Sequence, residues 1–326
     1  MSLVACTKAP AESTTKAPEQ TTAAPAADET EAPAAPVNVM VLNGTTGFGM
    51  AKLIADKTAG TAALNYNISV ETDASNVTGA LINGSVDIAA LPTNAASVVY
   101  NKTQGAVQVL ALNTLGVLYV VADKTENITS LADLEGKTVY APAQNPSFIF
   151  QNIVQANGLK NVTIDNTYAQ PADLNAAVAS GAVSVAVLPE PMVTVAKSQN
   201  PNLVVALDLT AEWDKVSPAG SLVQGCVVVR KDFADANPAA VAAFLEEYGA
   251  SIENMLSDIE GTAAKIETNG IFAKAAVAAK AIPNCNVVCI TGETMKKDVS
   301  DMLAVLYEAN PKSVGGKLPG DDIYYY

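Results

Sequence analysis

Few residue types able to do chemistry occur in this chain, and one is missing altogether. There is no histidine, which removes the Ser-His-Asp and Cys-His mechanisms and the usual imidazole metal ligands. Of the four cysteines, Cys6 stands alone near the start, Cys226 lies in an apolar run, and Cys285 and Cys289 form a Cys-x3-Cys pair. Two thiols at that spacing are half a zinc site at best, and no second pair completes it. A Cys285–Cys289 disulfide requires an extended or looped segment, because a regular helix gives poor geometry. The other reading of Cys226 and this pair is buried free thiols. No two acidic residues are spaced as a glycoside-cleaving pair, and Asp321-Asp322 falls in the tail as a solvent-facing doublet. Neither a cofactor nor a metal is called for.

What remains is hydrogen-bonding chemistry in four segments. The glycine-rich Asn43-Gly44-Thr45-Thr46-Gly47-Phe48-Gly49 has neither the dinucleotide order nor the lysine of a phosphate-binding loop. Asn43, Thr45 and Thr46 make it a neutral, donor-rich lip; a plain βα turn with a capping Thr is the simpler reading. Thr93 and Asn94 follow Pro92. Gln144, Asn145 and Ser147 flank Pro146, which suits a first helical turn. Glu190 is the only charge in these segments, placed either to accept from an amine or ring N–H or to sit as a surface carboxylate near a helix N-terminus. Phe48 and Phe148 either line a cleft or belong to the core.

These segments lie where strands give way to helices. Val37–Leu42 reads as strand and Met50–Thr58 as helix; Asn67–Glu71 is strand, and Ser75–Ile82 is helix capped by Ser75. Strand Val86–Leu91 stops at Pro92 and helix Ala95–Tyr100 follows. The pattern recurs: strand Thr138–Ala141, helix Ser147–Asn157, strand Val162–Thr167, helix Pro171–Ser180, strand Val183–Leu188. Ser221–Val229 is strand, and helices are expected over Asn237–Asp258, Thr262–Ala281 and Gly292–Glu308, before a loop-like tail from Pro311. Such alternation predicts an α/β fold with largely parallel sheets. In that architecture ligands collect at the C-terminal ends of strands, beside helix N-termini.

Ala80-Leu-Ile-Asn-Gly84-Ser-Val86-Asp-Ile88-Ala-Ala-Leu91-Pro92 aligns without a gap on Ala177-Val-Ala-Ser-Gly181-Ala-Val183-Ser-Val185-Ala-Val-Leu188-Pro189. Each reads helix end, Gly turn, apolar strand and Leu-Pro stop, so two lobes on one plan are expected. Residues 37–121 and 222–326 make lobe one, and 122–221 lobe two, each a mostly parallel sheet flanked by helices. The chain passes between them near Leu118–Lys124 and returns near Gly220–Arg230.

Ahead of the lobes, Leu3-Val4-Ala5-Cys6 resembles a bacterial lipobox, with Cys6 the lipidated residue. Thr7–Pro36 holds no aromatic residue and no aliphatic larger than alanine. It reads as a disordered tether of about 100 Å when stretched, completing an N-terminal region of residues 1–36. The net charge of −14 and the single arginine, Arg230, disfavour nucleic acid. No run reaches the roughly 18–20 apolar residues of a membrane span; Val107–Val121, interrupted by Asn113, Thr114 and Gly116, reads as buried strand.

Three further motifs carry a family resemblance. Ser130-Leu-Ala-Asp-Leu-Glu-Gly-Lys-Thr-Val139 is similar to an SLxDLxGKxV pattern, Leu188-Pro-Glu-Pro191 to an xEPxx segment, and Gly84-Ser-Val-Asp87-Ile-Ala to GxxDxA. In this order they resemble the nitrate/sulfonate/taurine class of ABC-importer substrate-binding proteins, with the type II periplasmic binding fold, from Val37 to about Tyr248. The resemblance implies capture of a small organic solute between hinged lobes and delivery to an ABC permease and its ATPase. The protein would act as a monomer, lipid-anchored on the outer face of the cytoplasmic membrane. Met192 stands where many members carry an aromatic, and no Lys or Arg lies in the four segments, which points to a neutral, zwitterionic or weakly charged solute. A surface sensor is the alternative. An enzyme related to thiamine-pyrimidine synthesis on the same scaffold would need the histidine this chain lacks.

Overall fold

The computed structural model describes residues 35–326. Cys6 and all but the end of the Ala/Pro/Thr/Glu-rich region lie outside the described residues. Eleven strands follow in order: β1 Val37–Leu42, β2 Tyr66–Glu71, β3 Ile88–Pro92, β4 Val107–Thr114, β5 Leu118–Asp123 and β6 Thr138–Tyr140. Then come β7 Thr163–Asp165, β8 Val185–Pro189, β9 Leu203–Asp208, β10 Gly225–Arg230 and β11 Val287–Ile290. They form a six-stranded sheet, β11-β4-β10-β3-β1-β2, and a five-stranded sheet, β7-β6-β8-β5-β9.

Both sheets are mixed. In the first, β2, β1 and β3 run parallel while β10 is antiparallel to β3 and β4. In the second, β7, β6 and β8 are parallel and β5 is antiparallel to β8 and β9. The reversed strands β5 and β10 each open just after the chain has crossed between sheets. The run from Val107 is therefore two strands, β4 in one sheet and β5 in the other, and the segment around Leu118–Lys124 is largely β5 itself.

Central strands are apolar throughout, as strands covered on both faces must be. Ile88–Leu91 and Val185–Leu188 are wholly buried. Edge strand β2 instead alternates buried Tyr66 with exposed Asn67. Helices pack with one apolar stripe inward. On Gly292–Ala309, Met295, Val299, Met302, Leu303 and Leu306 are buried, the spacing of one helical face.

Two expectations need correction. Helix Ala74–Asn83 is capped by Asp73, which accepts from Ser75 N–H, and not by Ser75 itself. The helix expected over Thr262–Ala281 is two, Ile259–Thr268 and Ala275–Ala281. They are parted at Asn269-Gly270, where Gly270 turns left-handed and ends the first helix as such residues do. The tail beyond Pro311 is loop-like but held, with Tyr325 N–H donating to Val109 O and Ser97 Oγ to Val314 O. Cys226, Cys285 and Cys289 are free thiols.

Asp87, nine-tenths buried, fastens the first sheet. Its Oδ2 accepts from the backbone and side-chain N–H groups of Asn38 at 2.9 and 3.1 Å. Arg230 faces Oδ1 at 3.7 Å and donates to Gly84 O at 2.9 Å. One carboxylate thus joins β1, the turn into β3 and the end of β10. Replacing it leaves Asn38 N–H without its acceptor and Arg230 with Asp232 as its remaining carboxylate partner, a loss worth about 2 kcal/mol. Asp87→Ala should lower the denaturant midpoint accordingly, with no change in ligand affinity at the distant cleft described below.

Candidate ligand-binding cleft

The ends of β1, β3, β6 and β8 open on a cavity of about 360 Å3 between the two sheets. Thr45, Thr46, Asp73 and Pro92 wall it from the first sheet, and Pro142, Gln144, Asn145, Gln170 and Pro189 from the second. Thr114, Val117, Leu118 and Gln224 close it where the chain crosses. Larger hollows exist, among them one of about 660 Å3 around Arg230 and Lys102 on the first sheet's outer side. The cleft gathers the ends of β1, β3, β6 and β8 from both sheets, the position that α/β folds use for ligands.

The lip on the first sheet turns sharply. At Gly47 a Cβ would fall 2.4 Å from Leu42 O and 2.9 Å from Ile271, so only glycine lets Thr45 and Thr46 fold back over β1. Asn113 Nδ2 donates to Thr46 O at 3.2 Å and fixes that turn from below.

Across the cavity, Gln144 holds φ 67° and ψ −127°, a left-handed conformation natural to glycine and costly for any side chain. Strain of this kind persists where the surroundings impose it, and it sets the entry angle of helix Asn145–Ala156. Behind it, Asn166 Nδ2 donates to Ser147 Oγ at 3.2 Å and to Ala141 O at 2.8 Å, tying that helix start to β6. Asn145 is 7% exposed, and its side-chain oxygen has no hydrogen-bond donor.

Four of the sequence-predicted residues, Thr45, Thr46, Gln144 and Asn145, line this cavity; six do not. Asn43 is exposed, its N–H given to Glu71 O. Phe48 is fully buried in the core, edge-on to Phe272. Thr93 is buried beside Cys226, Asn94 donates to Ser313 O, and Ser147 is occupied by Asn166.

Glu190, 4% exposed, accepts from Thr194 N–H and Oγ1 at 3.1 and 3.0 Å. It faces a separate hollow of about 530 Å3 with Tyr119, Lys197 and Lys280. Burial pushes its carboxyl above the ordinary carboxylate range, against the pull of the Thr194 hydrogen bonds.

Sequence reading missed Asp73, Thr114, Gln170 and Gln224. Asp73 and Gln170 each sit just before a helix at the end of a parallel strand, and that shared position is the signal that was there to use. Thr114 and Gln224 carry no such signal, since they belong to the crossings. Asp73 is the only charged wall residue, and hydrogen bonds from Ser75 hold its carboxyl below the usual range.

This geometry defines a two-sheet α/β binding fold with its ligand cleft at the crossings, the fold of periplasmic binding proteins. The family model for NMT1/THI5-like proteins matches residues 61–260, more than half of the chain, and the chain belongs to that family. Among solved structures, an ABC transporter from Parabacteroides distasonis matches with a TM-score of 0.76 at 22% identity, over 89% of this chain and 99% of that one. The periplasmic aliphatic sulphonate binding protein SsuA of Escherichia coli matches with 0.69 at 16%, over 88% and 95%. The alkanesulfonate-binding protein SsuA of Xanthomonas axonopodis pv. citri, bound to MOPS, matches with 0.65 at 14%, over 89% and 96%. No curated protein matches the sequence. The resemblance to the nitrate/sulfonate/taurine class agrees with these relatives.

Two outcomes follow from the geometry. Gln144→Gly relieves the backbone and should raise stability by about 1 kcal/mol, or about 2–3 °C in Tm. Glu190→Gln should raise Tm at pH 7. With its folded pKa above the unfolded one, Glu190 binds its proton more tightly in the native state, so wild-type stability falls as pH rises through that window. Melting curves from pH 4 to 8 should show the variant's advantage growing with pH and vanishing near pH 4.

Proposed function

We propose that this protein is the solute-capturing component of an ABC importer, lipid-anchored through Cys6, and not an enzyme. The observation that carries the reading is the cavity itself, walled by strand ends of two sheets that only two chain crossings join. The two sheets with their helices serve in this reading as the two lobes of a clamp, and because β5 Leu118–Asp123 belongs to the second sheet, the first boundary falls before Leu118 and not at 121. A solute touching both lobes favours the closed form by its extra contacts there. A closed body is then what a permease and its ATPase recognise.

The chemistry of the walls supports binding over catalysis. Hydroxyls, amides and one capped carboxylate face the cavity, with no nucleophile and base in reach of each other. Among the described residues no three His, Cys, Asp or Glu side chains gather to hold a metal ion. The structural relatives named above are transport binding proteins, which supports a place outside the cytoplasm. No helix among the described residues is long and apolar enough to cross a membrane; in this reading a lipid on Cys6 supplies the attachment. The proposed binding residues are Thr45, Thr46, Gln144 and Asn145, joined by Gln170 and Gln224.

A thermal-shift screen of the full chain against sulfonates, amino acids, amines and neutral amides tests the reading. A ligand at a hundredfold over its Kd should stabilise the fold by about 2.7 kcal/mol; stabilisation by none of them would count against solute capture. Thr46→Ala and Gln170→Ala should each cost about 1 kcal/mol of binding while leaving the unliganded Tm in place. In the native host, Cys6→Ala should release the protein from the membrane fraction to the soluble one.

A further inference from the structure

The cleft walls carry one carboxylate, no cation and several prolines. Pro92, Pro142, Pro146, Pro171 and Pro189 all line the cavity, and proline has no N–H to offer. Two of them matter most. Pro146 and Pro171 sit in the first turns of helices Asn145–Ala156 and Pro171–Ala179, and each removes one of the free N–H groups that would otherwise face an anion. No lysine or arginine replaces them on the wall. Lys102 and Lys312 belong to an adjoining outer groove of about 560 Å3, and both are exposed.

On the acceptor side, Asp73 is the single wall charge. Its Oδ1 takes Ser75 N–H at 2.8 Å, and a carboxylate offers about four lone-pair sites, so capacity remains for a ligand. Asn145 supplies the second, independent sign. Its Oδ1 is shielded from bulk water yet receives no donor from the protein, and an unmet buried acceptor is a standing cost that an incoming N–H would remove. Gln224 Oε1 is already taken by Val117 N–H at 2.7 Å, so it is not free for a guest, whereas Asp73 carries the wall's only charge. The protein's net charge of −14 acts the same way at long range, drawing cations and repelling anions.

We infer that the cleft takes a small organic molecule presenting N–H donors through an amine or amidine group and carrying no net negative charge, and that it discriminates against sulfonates. This rests on the solute-capture reading and names its substrate class. In the complex, the guest's N–H groups reach Asp73 from the first sheet and Asn145 from the second, so one donor-bearing group bridges both sides of the cavity.

The test uses probes of one shape that differ only in the headgroup: butylamine, pentanamidine, pentanamide, butanesulfonate and pentanoate. Binding of each to the full chain at millimolar concentration is measured by ligand-observed NMR. The amidine and amine should bind at least about tenfold tighter than the sulfonate, a difference of roughly 1.4 kcal/mol. Asp73→Asn, which still caps its helix, should erase most of that preference without lowering Tm. Asn145→Leu should weaken the amide and the amidine alike. Sulfonate or carboxylate binding as tight as the amidine overturns the inferred class and leaves solute capture standing. Binding of no probe overturns both.

Discussion

Everything in this fold hangs on how two crossing segments are tied to each other. Between β4 and β5, and again just before β10, the chain passes from one sheet to the other. Gln224 joins the two passages: its N–H donates to Thr114 O at 2.9 Å, and its side-chain oxygen accepts from Val117 N–H at 2.7 Å. Asn286, at the start of β11, adds a second tie. It accepts from Leu115 N–H through its backbone at 3.1 Å and donates its side-chain amide to Gly116 O at 2.6 Å. Backbone polar groups at such a junction cannot be left unpaired when buried. These two residues, through backbone and side chain, satisfy them without extending either sheet across the gap. The lips on both sides are then anchored to the same place, since Thr93 N–H donates to Gln224 O and Glu190 N–H to Val117 O.

The duplicated plan explains why the cleft forms where it does. Gly84 and Gly181 both turn left-handed with φ 77°, and each is followed by the same return hydrogen bond, Ser85 N–H to Ala80 O and Ala182 N–H to Ala177 O. The strands that follow, β3 and β8, end at Pro92 and Pro189, and both prolines stand on the cleft wall. Equivalent stops on the two sheets thus face one cavity. The loops after them differ: one continues into a buried helix start at Thr93, the other into Glu190, which folds back on Thr194. A common frame with unlike loops gives a site whose two sides offer different groups to the same guest.

Strand–helix alternation and the gapless repeat were legible because apolar runs with Gly and Pro stops are local signals. Half-hidden features were those that depend on a distant partner. Val107–Val121 looks like one apolar run, yet Leu115–Val117 leaves the first sheet because Gln224 and Asn286 pair with its backbone from far along the chain. Glu190 looked like a ligand contact by position, but the hydroxyl of Thr194 one turn later captures it. Thr45, Thr46, Gln144 and Asn145 lie in segments read from strand ends alone, whereas Asp73 and Gln170 lie outside those segments. The Asn269-Gly270 break was visible as a stop signal, and the alanine-rich flanks on either side masked it.

Two adjacent straps, bound to each other, restrict the motion they permit. A card joined to another by a pair of neighbouring tabs folds along one crease and resists shear and torsion. With Gln224 lashing the passages together and Asn286 holding the first of them to β11, a clamp built on this body has an angle as its softest coordinate. A binding partner that must tell a filled body from an empty one then has a single scalar to gauge, and it can do so from outside without touching the guest.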